Sequence, residues 1–240
     1  EAGDIVAADP DEKRRRLFAE ELGVEAVAEN SRPAGCARVL LAVKPQVMGD
    51  VLEQVADAVQ ADATVVSIAA GVTTSLIDGK LGGRGRIVRV MPNTPMLAGA
   101  GVSALAAGPR ATDDDLAWTR RLLAASGETV TVEEELMDGV TAVSGSGPAY
   151  FFYLIEAMIA AGVAEGLERD TAALLAARTC AGAAKLLEHT GESPEALRAR
   201  VTSPGGTTQR AIETLDAAGV KDSLIAAVRA AAQRSRELAG

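Results

Sequence analysis

Three short β-branched runs constrain this chain more than any other feature. VLLAV at residues 39–43, TVVSI at 64–68 and RIVRV at 86–90 are each apolar for most of their length, and each runs into small, Pro or Gly residues. Alternation of such runs with helical patterns predicts a parallel sheet wrapped by helices. The 39–43 run reads as a strand covered on both faces. Lys44-Pro45 ends it before a helix predicted over 46–59. The other two end in Ala69-Ala70-Gly71 and in Met91-Pro92-Asn93-Thr94-Pro95. Open α/β sheets hold ligands outside the carboxyl ends of their strands, so three loops in series suggest a crevice for an extended ligand, although short loops there are also common for steric reasons. Upstream, residues 5–8 read as a strand running into Asp9-Pro10. A helix predicted over 11–22 follows, with Gly23 placed to stop it.

From about Glu133 the pattern becomes almost continuous helix. Pro148 stands near the start of a helix running to about Leu167, Asp170 is placed to cap the next to about Glu188, and Ser193-Pro194 opens a short one. These helices carry Ala and Gly on several faces, as at Ala160-Ala161-Gly162 and Ala181-Gly182-Ala183-Ala184. A helix apolar all round must be buried all round, and about 100 residues provide too little interior. Two interlocked copies are therefore expected, with a first domain over 1–132 and a helical one over 133–240.

Composition narrows the function classes. The formal net charge is -9 and the only dense basic run is Lys13-Arg14-Arg15-Arg16, which argues against a nucleic-acid partner. Cys36 and Cys180 lack metal-ligand spacing, so neither zinc nor a disulfide is expected, as in a reducing cytoplasm. Cys180 reads as a small buried hydrophobe and His189 as a surface group compensating a helix end. The apolar run 149–164 is shorter than a bilayer span, is interrupted by Glu156, and reads as a helix buried in protein. Glu1, Asp4 and Asp9 stand where a secretory leader would be basic and then apolar, so no signal sequence is expected.

Two segments could carry chemistry. In VTSPGGTT at 201–208, two glycines bring bare backbone to a helix start, where N–H groups and the helix dipole favour a carboxylate or phosphate. A plain capped turn, with Thr207 or Thr208 as the cap, explains the same residues. Ser144-Gly145-Ser146-Gly147-Pro148 precedes the long apolar helix and also reads as a turn and cap. The sequence holds no Gly-x-Gly-x-x-Gly loop. The strand ending in Asp9 instead looks like the second strand of a dinucleotide-binding unit, where an acidic residue meets the adenosine ribose.

VTSPGGTTQRAIETLD (201–216) resembles the signature of pyrroline-5-carboxylate reductases, and DGVTAVSGSGPAYFF (138–152) is similar to that family's other characteristic segment. AVKP (42–45), AAGVT (69–73) and MPNTP (91–95) match in the same order. The resemblance implies a Rossmann-type α/β domain followed by an all-helical dimerisation domain, with dimers often gathered into a ring. It implies hydride transfer from a nicotinamide cofactor to a cyclic imine bearing one carboxylate. Thr208 then addresses the ring nitrogen as the catalytic residue, and Ser203 with the backbone of Gly205, Gly206 and Thr207 holds the carboxylate. Ala42, Val43, Lys44, Pro45, Ala69, Ala70, Gly71, Asn93 and Thr94 line the cofactor, with Asn30 near the adenosine. NADPH is expected as donor with some tolerance of NADH, although Asp9 taken alone favours NADH. About thirty residues of the family pattern, holding its first strand and glycine loop, have no counterpart from Glu1 onward, and we expect them to belong to the molecule. Two other functions fit less well: a hydroxy-acid dehydrogenase, which would need an ionisable residue such as Lys where Thr207 and Thr208 stand, and a non-catalytic relative.

Overall fold

The computed structural model describes residues 2–239. Glu1 and Gly240, which bound the two expected domains, lie outside them, as does the Glu1 part of the leader reading. The chain forms two compact units, residues 1–145 with 232–240, and residues 146–231.

In the first unit, β1 (Val6–Ala8), α1 (Glu12–Leu22), β2 (Glu25–Val27) and α2 (Ser31–Ala34) precede the main sheet. Asp11 accepts from the Lys13 N–H to cap α1, and Gly23 stops it in the left-handed conformation at φ 64°. β1 and β2 pair in parallel as a sheet of their own. There follow β3 (Arg38–Leu41), α3 (Pro45–Val55), β4 (Thr64–Ser67), α4 (Thr74–Lys80), β5 (Arg86–Met91), β6 (Gly101–Ala107), α5 (Asp113–Leu123) and β7 (Gly127–Thr131). These five strands lie in the order β3-β4-β5-β6-β7.

The sheet is parallel from β3 to β5, but β6 runs antiparallel to β5. Only residues 92–100 join them, too few for the crossover helix that a parallel return needs. Where β6 and β7 begin, a methyl group on Gly127 would fall 2.0 Å from the Gly101 carbonyl oxygen, so only glycine permits that pairing.

Alternate residues divide the core between the two faces. Val39, Val65 and Ile87 stand in register and pack with Met48, Leu52 and Val55 of α3 and Ile77 of α4. Val66 and Val88 point to the other face, where they meet Leu105, Leu116 and Leu123 under α5. The expectation that the 39–43 strand is covered on both faces is wrong. Leu40 is 47% exposed in the single chain, because β3 is the edge of its sheet among the described residues and α5 reaches it only through Trp118, which lies over Arg38.

After β7 the first unit continues through α6 (Met137–Val140) into a π-helical turn, Thr141–Gly145. The second unit holds α7 (Gly147–Ala164), α8 (Arg169–Thr190), α9 (Pro194–Arg200), α10 (Thr207–Ala217) and the first part of α11 (Val220–Ala239). Ser193 caps α9 through the Ala196 N–H, with Pro194 in its first turn as expected. Asp170 does not cap α8: that position is Glu168, and the helix continues past Glu188 to Thr190, ending at left-handed Gly191 with His189 exposed in its last turn.

The run 149–164, expected to be buried in protein where two copies interlock, presents much of its surface in the single chain. Within the single chain Phe151, Phe152, Tyr153 and Leu154 are 53–77% exposed, and only Gly147 of α7 is buried. Counted with the helical turns before it, residues 134–164 are also long and apolar enough to cross a membrane. Cys36 and Cys180 are free thiols, and Cys180 is half-buried rather than buried.

Candidate functional site

β3, β4 and β5 run parallel as neighbours, so the loops at their carboxyl ends share one edge of the sheet. That brings together Ala42, Val43, Lys44 and Pro45, then Ala69, Ala70 and Gly71, then Asn93 and Thr94. Lys44 is the extended residue before α3 and Pro45 its first position, where the missing N–H costs nothing. Gly71 turns the second loop at φ 74°. Ala42, Lys44, Pro45, Ala70 and Thr94 are exposed, while Ala69 and Gly71 are buried supports.

Two anchors hold these loops. The Asn93 side chain accepts from the Val102 N–H at 3.0 Å and donates to Ser144 Oγ at 3.3 Å, so both ends of its amide bond inside the unit. Glu134 accepts from the Thr74 N–H at 2.8 Å, from the Thr74 hydroxyl, and from Arg89 Nη1 at 3.2 Å. Arg89 is buried in the middle of β5, where an unpaired guanidinium would be expensive. Glu134 therefore neutralises a charge inside the sheet unit and ties down the start of α4, just beyond the Gly71 loop. The sequence reading missed this pair. An Arg set between Val88 and Val90, inside the apolar stretch of the strand, was the available signal.

Asp9 follows β1, and its carboxylate accepts from the Asp11 N–H at 2.8 Å. The basic run divides by direction around it. Arg15 donates to the carbonyls of Asp9 and Pro10, and Arg16 pairs with Glu12. Arg14 reaches 3.9 Å from the Asp9 carboxylate and stays 72% exposed. Asn30 precedes α2 and donates to Gln54 on α3 at 2.9 Å.

In the second unit the 201–208 loop ends at α10, whose cap position is Gly206. Gly205 stands at φ 70°, a conformation that side chains strain to adopt. A methyl group on Gly206 would sit 2.5 Å from Ser203 Oγ. Two of the expected anion donors already have partners: Gly206 N–H donates to the Ser203 carbonyl at 3.0 Å, and Gly205 N–H to Gln209 Oε1 at 2.6 Å. Gln209 Nε2 in turn donates to Glu213 Oε1 at 2.9 Å. The first N–H groups of α10, those of Thr207 and Thr208, have no acceptor within the helix, as at every helix start. Neither threonine side chain caps the helix, so the plain capped turn does not account for them. The half-buried Thr208 hydroxyl and exposed Ser203 stand at the same helix end. Among the described residues no cluster of His, Cys, Asp and Glu could hold a metal ion.

Residues 134–238 match the family model described as pyrroline-5-carboxylate reductase dimerisation, and residues 1–71 match that of NADP oxidoreductase, coenzyme F420-dependent. The pyrroline-5-carboxylate reductase of Pseudomonas aeruginosa is 41% identical over 240 residues, covering 99% of this chain and 88% of that protein. Among solved structures, a pyrroline-5-carboxylate reductase from Coxiella burnetii superposes with a TM-score of 0.93 at 36% identity, covering 100% of this chain and 90% of that one. The Plasmodium falciparum enzyme, solved with NADP bound, gives 0.87 at 28% identity, covering 98% and 87%.

Proposed function

The chain belongs to the pyrroline-5-carboxylate reductase family, and we propose that it reduces 1-pyrroline-5-carboxylate to L-proline with NAD(P)H, the last step of proline biosynthesis. The observation that carries this reading is the 41% identity to a curated reductase along 99% of the chain. The residues present suit a dinucleotide. Small side chains and exposed backbone line three adjacent loops at the carboxyl edge of the sheet, where this fold takes such ligands.

Ala42, Val43, Lys44, Pro45, Ala69, Ala70, Gly71 and Thr94 would hold the cofactor, with Asn93 fixing the third loop and Asn30 placed toward the adenosine. The cofactor supplies the hydride. On the protein side, the first N–H groups of α10 and the Ser203 hydroxyl bind the substrate carboxylate, aided by the positive end of the helix dipole. Hydride adds to the imine carbon, the C=N double bond becomes single, and the ring nitrogen gains a proton. Thr208, a neutral hydroxyl and so no strong acid, orients that nitrogen and relays the proton from water.

The exposed apolar surface of α7 and the dimerisation-model match over 134–238 support self-association, with a second copy rather than lipid covering α7. A ring of dimers, a cytoplasmic location, NADPH as the preferred donor, and a division of labour between 1–132 (cofactor) and 133–240 (substrate and dimer) complete the reading. Purified protein should oxidise NADPH in the presence of pyrroline-5-carboxylate. Thr208→Ala should lower turnover roughly ten- to a thousandfold, the worth of one hydrogen bond at a reacting centre. Undiminished turnover by the variant would remove Thr208 from the mechanism.

A further inference from the structure

Gln209 occupies a backbone donor in the loop read above as the carboxylate site. Its Oε1 lies 2.6 Å from the Gly205 N–H, and its Nε2 is held 2.9 Å from Glu213 Oε1. The two bonds fix the amide in one sense, since the carboxylate can only accept and the backbone N–H can only donate. Residues 209 and 213 are one helical turn apart on α10, so Glu213 lies where it can hold the glutamine in this rotamer.

We propose that Gln209 is an internal placeholder for the substrate carboxylate, setting substrate affinity by competing for the Gly205 N–H. The inference rests on the reading of 203–208 as the carboxylate site. Without substrate the amide oxygen satisfies the N–H of Gly205, which stands at φ 70°. A carboxylate oxygen is the stronger acceptor because its bond is charge-assisted, so it displaces the neutral amide. The displaced glutamine keeps its bond to Glu213 and returns its oxygen to water. A ligand without a carboxylate cannot make that exchange profitable and meets a filled site. Gln209 therefore discriminates for the acid group at a cost in affinity, as a specificity-determining residue that never touches the reacting atoms.

The test compares wild type with Gln209→Ala and Gln209→Met, the second keeping the length of the side chain without its acceptor. Both should lower KM for pyrroline-5-carboxylate about two- to tenfold, the worth of one net hydrogen bond, with the change carried in KM rather than kcat. The gain should be absent with 1-pyrroline, which has the ring imine and no carboxylate. A merely structural glutamine would raise KM or reduce stability when removed. Ser203→Ala serves as the reference for the site itself. If it raises KM while both Gln209 variants leave KM unchanged or raised, the placeholder is overturned and the carboxylate site stands. An unchanged KM for Ser203→Ala and for Thr208→Ala would overturn the site, and this inference with it.

Discussion

Replacing Asp115 offers a sensitive test of how the first unit is held together. Its carboxylate is 2% exposed and accepts from Arg86 Nε at 2.8 Å, Arg86 Nη2 at 3.1 Å, the Thr112 N–H at 2.9 Å, the Thr112 hydroxyl at 2.7 Å and the Thr64 hydroxyl. It thus joins β4, β5 and the capping box of α5. Removing one partner of a buried ion pair costs about 3–5 kcal/mol. Arg86 is 30% exposed and can recover some hydration, so Asp115→Ala should lie near the low end, about 3 kcal/mol. Urea unfolding followed by fluorescence of the single tryptophan, Trp118, reports on this helix directly. A loss below about 1 kcal/mol would show that the pair is no better than a surface one.

The same residue predicts an acid dependence. Burial alone would raise the Asp115 pKa, but the hydrogen bonds from Arg86, Thr64 and Thr112 outweigh it and hold the carboxyl well below the usual carboxylate range. A carboxylate with a depressed folded pKa adds stability above its unfolded value of about 3.9 and loses it as pH falls through the folded value. The stability difference between wild type and Asp115→Asn should therefore be constant near neutrality and shrink below about pH 4. A difference that persists undiminished at pH 2 would refute the assignment.

Phe152→Asp, on the exposed face of α7, should weaken self-association at least about a hundredfold, since a buried phenylalanine contributes about 1.5–3 kcal/mol and a buried unpaired carboxylate costs more. Sedimentation at low concentration decides it, and an unchanged dimer would place the interface elsewhere. Arg14→Ala should reduce the NADPH-to-NADH ratio of kcat/KM about tenfold if that guanidinium, beside Asp9, meets the extra phosphate. If wild type instead prefers NADH tenfold and Asp9→Ser moves the ratio toward NADPH, Asp9 governs the choice.

The sequence made the parallel half of the sheet legible because Val65, Val66, Ile87 and Val88 are β-branched and bounded by helix breakers. It concealed β6, whose GVSALAA has one β-branched residue and earns its strand by lying between β5 and β7. β2 was missed for the same reason, with only Val27 to announce it. The TSPGGTT loop was readable as a motif, but the fold-back of Gln209 was not, since a helical glutamine's partner depends on rotamer rather than spacing. Long-range pairs such as Arg89 with Glu134 are 45 positions apart and leave only one trace, a charge where the strand should be apolar.

The first unit is discontinuous: residues 232–239 of α11 belong to it, and Ser235 is buried there with its hydroxyl 2.6 Å from Asp138 Oδ1. A ribosome must therefore produce all of residues 146–231 before the sheet-bearing unit can receive its last helical turns. Domains generally fold as they emerge, but this one must wait in an unfinished state, with its docking surface for α11 uncovered. Cleavage between the units would likewise separate pieces of one folded body. A fragment ending at residue 132 would lack Glu134 as well as these turns, leaving buried Arg89 with no counter-charge.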